Sequence, residues 1–251
     1  AFHPARSRLS CRLHRDAGGA QEAVRYKAIR RHLPAWLRRR LLAFEAAIQD
    51  AVQAFAASLP TDARVLDAGA GEGAYASYFA RQRYCGVDLA VGDPSWDYSR
   101  LDVIADLVAL PFADGAFDAC LNVVTLEHVP EPAVVLSEIA RVLAPGGRLL
   151  LVAPQEWEIH QAPHDYYRFT RYGLAYLIRK AGLSPVRVEA VGGFFQLLAR
   201  RLLNALQFFP GPFFVLAALV AAPLALVLPL LDRLDRQRDF TLGYICIAVK
   251  P

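Results

Sequence analysis

Apolar positions along this chain change period several times, and each change marks an element. Phe44, Ile48, Val52, Phe55 and Leu59 recur at helical spacing, which predicts one amphipathic helix packed on a sheet and closed by Pro60. Next comes a short apolar strand, Val65-Leu66-Asp67-Ala68, then Gly69, Gly71 and Gly73, after which Tyr75, Tyr78 and Phe79 read as a second helix. Further strands are expected at 84–88, in a segment ending near Asp106, at 117–126 running into Leu126-Glu127-His128-Val129, and at 148–153. The last two are nearly continuous apolar runs, as parallel strands covered on both faces should be. Between them Leu136, Ile139, Val142 and Leu143 pattern a helix opened by Pro130 and Pro132 and stopped at Pro145-Gly146-Gly147. A helix capped by Thr170 and ended by Gly182 leads to a strand at 185–191. Only 242–249 remains as a candidate for a final strand. Strands and helices in alternation predict an α/β fold around a mostly parallel sheet.

The chemistry concentrates where the first strand meets the three glycines. Glycine lets the backbone turn sharply and approach a ligand more closely than any Cβ allows, and a following helix would offer its unpaired N–H groups. That layout suits a nucleotide cofactor without choosing one. Asp88 ends the second strand, 19 residues after Gly69, where a carboxylate can accept hydrogen bonds from both hydroxyls of a ribose; a dinucleotide enzyme would also qualify. Asp67 beside the loop would repel a pyrophosphate and attract a cationic amino group. Its bland alternative is a helix cap.

Asp106 before Leu110-Pro111-Phe112, then Asp114-Gly115-Ala116-Phe117-Asp118 and Leu126-Glu127-His128-Val129, extend the series. Together with the glycine loop and Asp88 it resembles a class I S-adenosylmethionine-dependent methyltransferase of the methyltransferase type 11 branch. The resemblance covers residues 65 to about 193, and the last strand by position. It implies a Rossmann-like fold of seven mostly parallel strands with helices on both faces, the seventh slipping in antiparallel beside the sixth. It also implies that Asp67 and the backbone at Gly69, Gly71 and Gly73 hold the methionine end of S-adenosylmethionine. Asp88 would take the ribose hydroxyls and Asp106 the adenine amino group, with Leu107 and Glu127 completing the pocket.

Composition modifies this picture at one end. Residues 1–40 carry eleven Arg or Lys against Asp16 and Glu22, so the formal net charge of +4 is the sum of a strongly basic arm and a mildly acidic remainder, 41–251. Such an arm, ending in Trp36-Leu37-Arg38-Arg39-Arg40, suits anionic lipid or nucleic acid, or is simply solvated. Cys11, Cys85, Cys120 and Cys246 stand singly, three of them inside strand-like runs, and read as free thiols of a reducing compartment, here the cytoplasm. No Cys and His spacing suggests a metal site.

About fifty residues separate the last two strands, and within the insertion 194–238 the run 202–231 contains no charge. Its length passes the spanning test, yet two full crossings need about 40 residues, and both flanks must rejoin one sheet. Arg200 and Arg201 before it and Arg233, Arg236 and Arg238 after it place both ends on the cytoplasmic side. A monotopic or re-entrant hairpin turning at Pro210-Gly211-Pro212 follows, with Pro223 and Pro229 breaking or kinking its second arm. The alternative is a helical pair or lid buried on protein.

Loops after the fourth and fifth strands would present the methyl acceptor. They carry His128, and then His160, His164 and Asp165 in a segment dense in titratable and aromatic groups, 154–168. His164 with Asp165, or His160, is the expected general base for a hydroxyl acceptor, while Arg168 offers Asp165 a purely structural partner. The expected function is methyl transfer to a small or lipid-linked acceptor at a membrane surface. Competing readings are a membrane-associated binding protein that has lost catalysis and an NAD-dependent oxidoreductase. A nucleic-acid acceptor, raised by the basic arm, ranks below a small acceptor, because Asn122-Val123-Val124-Thr125 stands where an Asn/Asp-Pro-Pro-Tyr type motif would be.

Overall fold

The computed structural model describes residues 34–93 and 95–251; the basic arm up to residue 33, Cys11 and Pro94 lie outside them. The chain divides by its contacts into residues 1–38 and 39–251. A short helix α1 (Ala35–Leu41) precedes α2 (Ala43–Ala57), whose Phe44, Ile48, Val52 and Phe55 are buried as their spacing requires.

Seven strands follow: β1 (Arg64–Ala68), β2 (Arg83–Asp88), β3 (Val103–Ile104), β4 (Phe117–Val123), β5 (Leu143–Pro154), β6 (Ser184–Val191) and β7 (Gly243–Val249). They form one sheet in the order β3-β2-β1-β4-β5-β7-β6. All neighbours are parallel except β7, which enters antiparallel between β5 and β6. The order reverses between β1 and β4, so their carboxyl ends flank the crevice where open α/β sheets bind ligands.

Strand residues alternate between two cores. Val65, Ala119, Leu121, Leu150, Val152 and Ile245 face α2. Leu66, Cys120, Leu149, Leu151 and Cys246 face the other way, onto α3 (Pro132–Val142) and α4 (Arg171–Lys180). The Thr170 hydroxyl caps α4 by accepting the Gly173 N–H at 3.1 Å. Cys120 and Cys246 are buried free thiols and Cys85 is half-buried.

Three expectations change. No α-helix follows the glycine loop. Gly69, Gly71 and Gly73 all have positive φ (92°, 53° and 70°), so the chain leaves β1 in successive tight turns, and the stretch before β2 has room only for a 3-10 turn, Ala76–Phe79. Second, β4 ends at Val123, because Val124 adopts φ 52° and breaks the ladder; Leu126–His128 is a separate 3-10 turn. Third, β5 begins at Leu143, including the residues read as a helix stop.

The insertion is a helical hairpin, α5 (Phe194–Ala205) and α6 (Pro212–Val227), with a 3-10 segment Leu228–Leu234 returning toward the sheet. The turn falls at Gly211 as expected, whereas α6 continues through Pro223. Asp232 accepts the N–H groups of Gly193 and Gln196 at 2.7 and 2.9 Å, and Asp235 accepts that of Phe194 at 2.8 Å. The two acids satisfy the orphan donors at the start of α5 and staple the insertion's entry to its exit. Arg40 donates to the Leu226 carbonyl near the end of α6 at 3.2 Å.

Candidate active site at the carboxyl ends of β1, β2 and β4

Asp67 lies on the α2 face of β1, 1% exposed. Tyr84 on β2 passes its ring over Gly86, where a Cβ would stand 3.3 Å from it, and donates its hydroxyl to Asp67 Oδ2 at 2.6 Å. Oδ1 is buried without a partner. Burial pushes the Asp67 carboxyl up to about 7, against the lowering effect of the Tyr84 hydrogen bond. With no α-helix behind the loop, the helix-cap alternative for Asp67 falls away.

The glycine loop is held from two sides. Asp88 accepts the Gly71 N–H at 2.9 Å through Oδ2 and the Ala90 N–H at 2.8 Å through Oδ1. Each oxygen keeps a further lone pair. On the other side, Thr125 donates to the Gly69 carbonyl at 3.2 Å. A Cβ on Gly69 would sit 2.2 Å from the Thr125 methyl, so glycine is required there by space and by φ together. Asn122, buried within β4, donates to the Ala68 carbonyl at 2.8 Å and leaves its own Oδ1 unpartnered. Trp96 lies over the loop, its ring 3.4 Å from where a Gly71 Cβ would be. Asp106 is exposed after β3 and accepts the Val108 N–H at 3.1 Å. Leu107 sends its side chain into the core, leaving only its backbone for a ligand.

Glu127 is fully buried with both carboxylate oxygens unpartnered, and burial pushes it up to about 8. Its carbonyl accepts the N–H groups of Tyr166 and Tyr167 at 2.9 and 3.2 Å, which pins the loop after β5 against the turn after β4. Arg168 organises that loop, donating to Asp165 Oδ1 and Oδ2 at 2.6 and 2.8 Å and to the carbonyls of Trp157 and Glu158 at 3.1 and 2.7 Å. The guanidinium holds the Asp165 carboxyl down at about 2.

The expected His164–Asp165 pair does not form. Asp165 turns inward to Arg168 and to the His160 N–H at 2.9 Å, whereas the exposed His164 ring lies 3.3 Å from the Tyr166 hydroxyl. The chain bends at His164, directly after the turn at 162–163, and Asp165 is claimed by Arg168. What the fold joins instead is His128 and His160, their Nε2 atoms 3.1 Å apart, with Glu127 alongside. One potential ligand atom from each of the three lies within 4.8 Å of the others, a grouping that linear spacing conceals.

The insertion reaches the same loop. Arg200 stacks on Trp157 at 4.5 Å and pairs with Glu45 at 3.1 Å, while Arg201 and Asn204 donate to Glu158 at 2.9 and 3.0 Å. Tyr84, Trp96, Asn122 and Arg200 were not among the expected cofactor or catalytic residues. Asn122 alone carried a signal, as a polar residue inside an apolar strand.

Residues 66–151 match the family model described as a methyltransferase domain. An uncharacterized methyltransferase of Mycobacterium sp. (strain JLS) is 38% identical over 113 residues, 42% of this chain and 44% of that protein. A protein named fatty-acid O-methyltransferase from Mycolicibacterium smegmatis is 38% identical over 111 residues, 38% of this chain and 40% of its own length. The chain therefore spans less than half of these curated relatives. Among solved structures, the 1,6-didemethyltoxoflavin-N1-methyltransferase of Burkholderia thailandensis, with bound S-adenosylhomocysteine, superposes with TM-score 0.52 at 22% identity, covering 92% of this chain and 89% of that one.

Proposed function

We propose that this chain, whose residues 66–151 match a methyltransferase domain within a Rossmann-like sheet, is a class I S-adenosylmethionine-dependent methyltransferase that methylates a small or lipid-linked acceptor at a membrane surface. The observation that carries the cofactor reading is Asp67, a fully buried carboxylate with one orphaned oxygen beside a left-handed glycine loop. A cationic amino group at that oxygen would relieve the desolvation that now raises its pKa.

The donor set fits the cofactor from end to end. Asp67 and the loop backbone would hold its amino acid end, Asp88 the ribose hydroxyls through its spare lone pairs, and Asp106 with the Leu107 backbone the adenine. When bound, S-adenosylmethionine supplies an electrophilic methyl group on a sulfonium. The protein's own task is to align an acceptor and exclude water. Trp96 beside the glycine loop and the loop 155–168 would shield the acceptor from water, and His128 and His160 would be placed to take a proton from an acceptor hydroxyl.

Three observations support a lipid-linked acceptor. The hairpin's outer helix carries Phe213, Leu216, Leu219 and Val220 each at least 60% exposed. The segment Pro212–Leu234 has a mean hydropathy of 2.7 and only 11% of its most apolar window is buried. Because Asp232 is fastened to the base of α5, this segment returns to its starting side, which favours a monotopic hairpin on the cytoplasmic face over a span. The relative named for fatty-acid methylation points the same way.

Calorimetric titration of detergent-solubilised protein with S-adenosylhomocysteine tests the cofactor reading. Saturable binding lost in Asp88→Ala and Asp67→Asn is expected. Absence of binding by folded protein would put the binding-protein reading ahead.

A further inference from the structure

We propose that Glu127, His128 and His160 form a binding site for a divalent transition-metal ion. His128 Nδ1 lies 2.5 Å from the His164 carbonyl, and His160 Nδ1 lies 3.1 Å from the Glu158 carbonyl and 3.5 Å from Asp165 Oδ2. All three partners are acceptors only, so each Nδ1 must carry the hydrogen. In its neutral form, the form that binds metal, each ring then presents a bare lone pair at Nε2.

Those two lone pairs face one another at 3.1 Å, where two acceptors cannot hydrogen-bond. The Glu127 Oε1 atom, buried and unpartnered, stands 3.8 Å from His128 Nε2. Three potential ligand atoms thus converge, and release of the Glu127 proton on metal binding makes all three electron-pair donors. A shared cation answers that arrangement. Bonds of about 2.0–2.1 Å from two imidazoles to a tetrahedral ion place the nitrogens roughly 3.3 Å apart, close to the spacing already present. The Glu127 carboxylate oxygen, 3.8 Å from His128 Nε2 and within 4.8 Å of the other ligand atoms, would close onto the same ion.

Two histidines and one carboxylate select a borderline ion such as Zn²⁺ or Fe²⁺ over Mg²⁺ or Ca²⁺, which prefer oxygen. The Nδ1–H contacts to carbonyls and to Asp165 are the outer hydrogen bonds that fix ring orientation in such sites. Three protein ligands leave a coordination position open. The site belongs to the turn that follows Thr125, the residue bonded to Gly69. Given the methyl-transfer reading, an acceptor hydroxyl bound in the open position would release its proton to solvent nearer neutral pH. Metal binding itself does not depend on that reading.

The untagged full chain, stripped with a chelator and dialysed, is titrated with Zn²⁺ and with Co²⁺, with metal content measured by mass spectrometry and the Co²⁺ visible spectrum recorded. One ion per chain is expected, with four- or five-coordinate absorption. Affinity should fall by more than about 100-fold in His128→Ala, His160→Ala and Glu127→Gln, exceeding the cost of losing an outer contact, and persist in His164→Ala. Imidazole resonances of the unaltered protein, followed by NMR, give a readout that does not depend on the variants folding. No stoichiometric uptake, or uptake that leaves the His128 and His160 resonances unmoved, overturns the site. S-adenosylhomocysteine binding measured separately shows whether the cofactor reading stands apart from it.

Discussion

The double variant Leu216→Asp, Leu219→Asp tests membrane attachment through α6. Both leucines lie on its outer surface, 64% and 68% exposed, so neither contributes much to the fold, and surface changes of this kind cost within about 0.5 kcal/mol of stability. Lipid would take up the exposed two thirds of each side chain, which contributes roughly 1–2 kcal/mol from the usual ~1.5–3 kcal/mol for a fully buried leucine. An aspartate in its place adds about 2.5–3.5 kcal/mol at the bilayer centre. The two positions together change the transfer free energy by roughly 8 kcal/mol. Even half of that, for a helix lying at interfacial depth, weakens partitioning by nearly three decades at about 1.4 kcal/mol per decade. Flotation with vesicles containing anionic lipid is the assay, and thermal melting confirms that the variant is folded. Wild type should float and the variant should stay at the bottom. If both float equally, or if neither floats, α6 does not attach the protein to membranes.

Other outcomes follow from the same site. Burial raises Asp67 to about 7 and Glu127 to about 8, so the native state keeps protons that the unfolded chain releases near pH 4. Stability of the ligand-free protein should therefore fall by a few kcal/mol as pH rises from about 4 to 8, and Asp67→Asn should flatten the lower part of that fall in urea titrations; an unchanged slope would contradict it. Asp165, held down at about 2 by Arg168, acts oppositely, its contribution being lost as pH drops from about 4 to 2. Removing the α5 cap with Asp232→Ala should cost about 1–2 kcal/mol and speed amide exchange in Phe194–Ala205; exchange as slow as in the wild type would deny the staple.

Much of this protein is written locally. The spacing of Phe44, Ile48, Val52 and Phe55 determines α2, the apolar runs determine β4 and β5, and Thr170 starts α4, because burial periodicity and end-capping act within a few residues. Gly69, Asp67 and Asp88 were legible for the same reason: a strand end, a tight turn and an acid form a short-range pattern. Tertiary structure decided what depends on partners distant in sequence. It shortened the helix after Gly73 to a single turn, because β2 had to pair with β1 within a short connection. It gave Asp165 to Arg168 rather than to His164, and it fastened Asp232 to the start of α5 across 39 residues. Above all it brought His128 and His160 together, 32 residues apart, beside a glutamate whose burial no sequence window reveals. Periodicity records which face of an element is buried; which lone pairs meet across two loops is set only when the sheet places those loops side by side.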